Sequence, residues 1–253
     1  MKLDARALLG SVAVLLALVA LWWGASHGHW ISRVFLPSPE AAVASLLEGL
    51  VSGDLLQFTG STMVRMLLGW LLASLFGVAL GALIGSSAAA RVYIQPTLEF
   101  IRPLPASAIM PLGVAVFVLS GTMVLFVVAF GAMWPVLLAT VHGFANVHLR
   151  LREVSEALQL GRASFAWKIG LPNAMPDILS GMRLSMTVSL IVSVVGEMIA
   201  SQSGLGQAIL LAARSFRSSD LYAGVILLGL IGFASNALLS EIEKHALRWQ
   251  RVR

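Results

Sequence analysis

The chain has 253 residues, 58% of them hydrophobic and only 11% charged, where an ordinary soluble domain carries about 25% charged residues. Together with a mean hydropathy of +0.89, this excludes a soluble globular protein and indicates an integral membrane protein. The net charge of +5 then reads as basic cytoplasmic loops rather than a nucleic-acid footprint, and the lack of cysteine excludes disulfides, thiol nucleophiles and zinc–thiolate sites.

A spanning helix needs about 20 mostly apolar residues. The first candidate is 7–23, after Lys2 and Arg6, read as a retained span and not a cleaved signal peptide. Residues 27–58 are mixed and polar. Within them LPSPEAAVASLLEGL (36–50) predicts a short interfacial helix entered through Pro37 and Pro39. Trp22, Trp23, Trp30 and, at the other end of the chain, Trp249 fall where aromatic belts lie. The second span is 63–84. Gly69, Ala73, Gly77, Gly81 and Gly85 recur at every fourth residue and share one helix face, which permits close approach of another helix that the spacing does not name.

IQPTLEFIRPLPASAIMPLG (94–113) holds Pro96, Pro103, Pro105 and Pro111. Each proline removes a backbone donor and restricts the residue before it, so a break is expected across Arg102–Pro105. Broken backbone at membrane depth survives only where protein or a water-filled cavity covers it. The third span is predicted over 106–119, a turn at Ser120-Gly121, and a fourth span over 123–141 kinked at Pro135. A fifth covers 178–199 and a sixth 221–239, joined by 201–220 with a half-buried helix around Gly206–Ser215. The tail EIEKHALRWQRVR is basic.

With the N-terminus inside, only four of the seventeen Lys and Arg residues (Arg33, Arg65, Arg214 and Arg217) fall outside. The positive-inside rule therefore favours an all-α membrane protein with about six transmembrane helices and both termini cytoplasmic. On this map residues 150–176 face the cytoplasm. REVSEALQLGRASFAWKIGLPNAMP (152–176) predicts a helix from Glu153 to about Lys168, a break at Gly170-Leu171-Pro172, and a second helix from Pro172. A short amphipathic element there suits either docking into a soluble partner or resting on headgroups.

Here the residues resemble a known family. Glu153 or Glu156, with Ala157, Gly161, Ile169, Leu171 and Pro172, resemble the cytoplasmic motif of inner-membrane permease subunits of binding-protein-dependent ABC importers. LPSP (36–39), IRPLP (101–105), GMRL (181–184), GEMIASQSGLG (196–206) and SSDLYAGV (218–225) resemble the branch serving nitrate, sulfonates, taurine and bicarbonate. The resemblance runs from Leu36 to Trp249. The motif is irregular: counting back from Pro172 places Glu153 at its glutamate and Gln159 at its glycine. Counting from Gly161 places Ser155 at the glutamate, one residue before Glu156. The first register also accommodates Ile169 and is the one favoured.

The resemblance implies a type I ABC importer permease fold forming one transmembrane permease domain over 1–253 in a bacterial cytoplasmic (inner) membrane. It implies a second permease copy or a sister permease, two ABC ATPase subunits engaging the 150–176 segments, and a periplasmic or lipid-anchored solute-binding protein. The solute would be a small organic or inorganic anion, such as a sulfonate, nitrate, bicarbonate or an aromatic carboxylate. The chain has no G-x-x-x-x-G-K-[ST] loop, so it is expected to be non-enzymatic and to bind no cofactor, with ATP and Mg in the ATPase.

Glu197 is the costliest residue in a predicted span, and reads as a gate or pathway residue or as an interhelical hydrogen bond or ion pair. Ser185, Ser189 and Ser193 lie four apart on the fifth span, and either line a polar path or pack closely. Arg102 is a candidate for the inner mouth or an ordinary positive-inside anchor. His27, His29, His142, His148 and His245 show no convincing metal-ligand spacing. A secondary transporter or channel is the alternative, but no repeat supports it. An intramembrane serine protease ranks last, because no base is placed to meet a serine within the membrane.

Overall fold

The computed structural model describes residues 5–28 and 31–248, and every regular element among them is helical. Lys2, His29, Trp30, Trp249, Arg251 and Arg253 lie outside the described residues. Helix α1 covers Ala5–His27 and α2 Pro39–Ser52. Ser38 caps α2 by accepting from the Ala41 N–H at 3.3 Å, and Pro39 opens its first turn. Helix α3 (Asp54–Gly85) starts well before the predicted second span: Gly53, at φ 87°, turns the chain, and the mixed stretch DLLQFTGST (54–62) carries the helix from there.

Helices α4 (Ala88–Ile101) and α5 (Ala106–Phe117) meet at a bend of 90° across the proline-rich stretch. At 12 residues α5 is too short to span alone. Among the described residues five helices are long and apolar enough to cross a bilayer, and six spans result if the bent pair counts as one. Helix α6 (Gly121–Ala145) starts at the Ser120 cap and carries Pro135 internally.

The next segment departs from expectation. Helix α7 (Leu149–Ala157) stops early, and the break lies at 158–161 rather than at Gly170-Leu171-Pro172. The one-turn α8 (Arg162–Phe165) runs through a π turn, Ala166–Gly170, directly into α9 (Leu171–Ala200). The π turn is why Pro172 does not break the helix. Leu171 N–H bonds the Ala166 carbonyl, five residues back, and this widened turn makes room where a proline ring would otherwise strike the preceding turn. Helices α10 (Leu205–Arg214) and α11 (Ser218–Ala246) complete the chain.

The core is α3, α6 and α9 packed side by side. Their contact depends on missing side chains. A Cβ on Gly77 would lie 2.9 Å from Val136 Cβ, one on Gly81 2.6 Å from Thr140, and one on Gly85 2.6 Å from Phe144. Gly69 faces Val128 in the same row, and Ala73 between them is buried. The four-residue stripe of α3 thus lies against a four-residue ridge on α6. On the other side of α6, Gly143 meets Ala174 of α9, and Gly181 of α9 meets Ala139 of α6. Lipid supplies no hydrophobic drive between helices, so this close van der Waals fit supplies the adhesion.

Candidate functional site

At the Ala200 end of α9, Glu197 has no exposed surface. Its Oε1 accepts from Arg65 at 2.6 Å, and its Oε2 accepts from the Thr62 hydroxyl at 3.0 Å and the Gly206 N–H at 2.9 Å. Thr62 Oγ1 also accepts the Leu205 N–H at 2.9 Å. The carboxylate therefore joins α3, α9 and the N-terminus of α10, whose open N–H groups and dipole favour negative charge. Gly204 and Gly206 belong to the same site: a Cβ on Gly204 would enter the carboxylate, and one on Gly206 would enter the Val194 carbonyl. Sequence reading found Glu197 but missed its partners. Arg65 was counted only among the outside charges, near the start of the predicted second span, and it lies inside α3 with its side chain 18% exposed. The available signal was that each is the lone charge of its kind in its stretch, and charges at membrane depth pair with one another.

Ser185, Ser189 and Ser193 are fully buried on the core side of α9. Ser185 donates to the Ala132 carbonyl at 2.6 Å, and Ser189 to those of Met66 at 3.3 Å and Met186 at 3.1 Å. Ser193 Oγ has no partner among the described residues. Arg102 is exposed at the elbow between α4 and α5. Among the described residues, no group of three or more His, Cys, Asp or Glu side chains could hold a metal ion.

At the other end of α9, the 150–176 segment is wedged under α6. Arg152 donates to the Ala145 carbonyl at 2.8 Å and Asn173 to the Gly143 carbonyl at 3.1 Å, so both satisfy the open C-terminus of α6. Gly170 is buried against the Phe144 ring, with no room for a Cβ. Glu153, Glu156, Ala157 and Gly161 are exposed, as is Pro172, while Ile169 and Leu171 are half-buried. Leu151, Val154, Leu158 and Trp167 are exposed apolar residues, Trp167 by 73%.

Helix α7 closes with two crossed bonds. Leu160 N–H reaches the Ser155 carbonyl and Gln159 N–H the Glu156 carbonyl, both at 3.0 Å. This is a Schellman cap, and Gln159 occupies its left-handed position at φ 48°, where glycine is the usual residue. Gly161 is not in a left-handed conformation, and a Cβ there would meet nothing. The local backbone thus asks for glycine at 159, the glycine position of the register that runs from Glu153 to Pro172.

A bundle of apolar helices with one bent pair, a glycine-packed core and an exposed segment under α6 has the make-up of a transport protein's membrane subunit. Residues 73–250 match the family model of the binding-protein-dependent transport system inner membrane component. An aliphatic sulfonates transport permease protein of Bacillus subtilis is 30% identical over 233 residues, covering 92% of this chain and 84% of the relative. A taurine transport system permease protein of Escherichia coli is 28% identical over 244 residues, covering 94% and 89%. A nitrate import permease protein of Leptolyngbya laminosa is 31% identical over 182 residues, covering 72% and 65%. A crystal structure of an amino acid ABC transporter superposes with a TM-score of 0.61 at 19% identity over 80% of this chain and 97% of that one, which is a likeness of fold. The chain belongs to the family of inner membrane components of binding-protein-dependent transport systems. It is a multi-pass permease subunit of an ABC importer, a transport component that works with an ATPase and a solute-binding protein.

Proposed function

We propose that this permease carries a small oxyanion, of the sulfonate, taurine or nitrate class named for its relatives, across a bacterial inner membrane. Two permeases, a second copy or a sister chain, enclose the pathway. Two ATPase subunits bind the 150–176 segments from the cytoplasm, where both termini of this chain also lie. ATP and Mg belong to those subunits, and this chain performs no catalysis.

The observation that carries the reading is the segment itself: four exposed apolar side chains beside Glu153 and Glu156, on an element fixed to α6 through Arg152 and Asn173. An amphipathic helix with a rigid base suits a groove on a soluble partner. A push on that helix is delivered to the end of α6 and, through Phe144 and Gly85, to α3. The buried serines and Glu197 serve helix packing, and the exposed Arg102 at the bend adds positive potential near the inner mouth.

The test is crosslinking from cysteines at positions 153, 154, 156 and 158, with ATP-dependent uptake measured in proteoliposomes. We expect the ATPase to co-purify and crosslinks to form from Val154→Cys and Leu158→Cys, with Glu153→Cys crosslinking more strongly than Glu156→Cys. Transport that ignores ATP, with no ATPase retained, rejects the reading.

A further inference from the structure

A second group of charges, away from Glu197, sits where α3 and α6 end and α4 and α7 begin. Arg91, near the start of α4, donates to the Gly85 carbonyl at the end of α3. Arg152 of α7 donates to the Ala145 carbonyl at the end of α6 at 2.8 Å. Gly85 packs on Phe144, so the two capped helix ends are neighbours. Beside them lies a hollow of about 280 Å³, bordered by Arg91, Arg152, Glu156, Ala88 and the buried Ser155 among others. That is room for about nine waters at roughly 30 Å³ each.

Capping uses only part of what these arginines offer. A cation at a helix C-terminus is favourable, and each guanidinium meets that need with one N–H out of five donors. Arg152 Nε is buried and has no acceptor among the described residues. A buried charged donor is costly to leave unpaired, and here the chain supplies nothing to pair it. Helix α4 adds further donors. Ser87 accepts the Ala90 N–H at 3.3 Å, while the N–H groups of Ala88 and Ala89 have no intrahelical acceptor, and Ala88 borders the hollow. The charges do not cancel: the two guanidinium groups face one carboxylate, that of Glu156, which leaves one net positive charge. Arg91 and Arg152 are both half-buried, where such charge is less screened than in open water.

We infer that this hollow binds a singly charged oxyanion group, either the phosphodiester of a membrane lipid or a free sulfonate, between Arg91 and Arg152. Guanidinium groups match such oxygens in shape and charge, and the first turn of α4 presents its N–H groups to the same space. Glu156 sets the valence. One negative charge is balanced in the hollow, whereas a second would stand uncompensated beside a carboxylate. The bound group has a structural consequence. Arg152 already ties α7 to α6, and an anion shared with Arg91 ties it to the junction of α3 and α4 as well. The 150–176 segment is then braced from two sides. The inference does not rest on the solute proposed above.

The experiment follows the melting temperature of the full chain, delipidated in dodecyl maltoside, as ligand is added. One arm titrates methanesulfonate against sodium chloride at equal ionic strength. The other titrates phosphatidylglycerol against phosphatidylcholine, whose own choline offsets its phosphate charge. We expect a saturable rise above the reference in at least one arm. A rise with methanesulfonate identifies a site open to free sulfonates, and a rise with phosphatidylglycerol alone identifies the lipid phosphodiester. In either case Arg152→Lys, which keeps a cationic donor for the Ala145 carbonyl but lacks Nε, raises the half-saturating concentration about tenfold or more. Arg91→Gln does the same. Glu156→Gln lowers it several-fold, a change of sign that a purely structural role does not produce. Should Arg91→Gln fail to fold, the other two variants decide. No rise above the reference in either arm overturns the inference. So does a rise that Arg152→Lys and Glu156→Gln leave unchanged, which places the binding elsewhere in the chain. Uptake and ATP are not measured, so the importer reading stands whichever way the melts fall.

Discussion

At its Ala200 end, α9 is locked by a carboxylate with no exposed surface that takes three hydrogen bonds and pairs with Arg65. At its Leu171 end it enters through a π turn, rests on a phenylalanine ring, and is tied to α6 by two side-chain-to-carbonyl bonds that leave much of the segment exposed. Charge is buried at one end and exposed at the other. A buried pair holds one geometry, because every departure leaves a desolvated charge without its partner. Side-chain caps at a helix end can be remade after a shift of a few ångströms. The difference suits the proposed coupling: one end of α9 is a fixed clamp and the other is able to follow a partner.

Removing Arg65 breaks the fixed end hardest. Arg65→Ala leaves Glu197 buried without its cation, and we expect a loss of about 3–5 kcal/mol, read as a fall in melting temperature of the purified permease. The double variant Arg65→Met/Glu197→Gln regains much of that loss, since two neutral partners replace a broken pair. If the double variant melts as low as the single one, the pair is not the clamp. Next in size are the glycines. Gly206→Ala drives a methyl into the Val194 carbonyl, and Gly81→Ala places one 2.6 Å from Thr140, each costing about 1–3 kcal/mol in the same melt.

At the Leu171 end the expected effects are smaller and differ in kind. Arg152→Ala frees the Ala145 carbonyl and loosens the tie to α6, costing about 1–2 kcal/mol. Its sharper readout is the ratio of ATP hydrolysed to solute moved, which we expect to rise. An unchanged ratio shows that the tie carries no coupling. Gln159→Gly goes the other way: it relieves the left-handed position at φ 48° and adds about 1 kcal/mol of stability while uptake persists. A lower melting temperature in that variant contradicts the cap geometry.

Much of the architecture was legible along the chain. Apolar runs of spanning length, the prolines around Arg102 and the four-residue small stripe each depend on one segment's own chemistry, and each can be read where it stands. The third span was read too generously, because α5 ends at Phe117 and reaches spanning length only together with α4 around a 90° bend. The break in 150–176 was misplaced for a physical reason. Pro172 advertises a missing donor, but the π turn absorbs it. The true break falls at Gln159, whose side chain gives no hint of a left-handed backbone.

The site was less legible for the same reason. Glu197 stands out in its own helix, yet nothing in its neighbourhood of sequence names Thr62 and Arg65, more than a hundred residues earlier. Composition, hydropathy and helical period thus determined that this is a multi-span helical membrane protein, roughly where its spans and its proline break lie, and which residues share a face in α3 and α9, while the resemblance of its motifs pointed to a permease. Only the tertiary structure decided which faces meet: the α3 stripe on α6, Glu197 on Arg65, Arg152 and Asn173 on the end of α6. Periodicity is a property of one helix, whereas a contact depends on the crossing of two, and that crossing is set by the packing of the whole bundle.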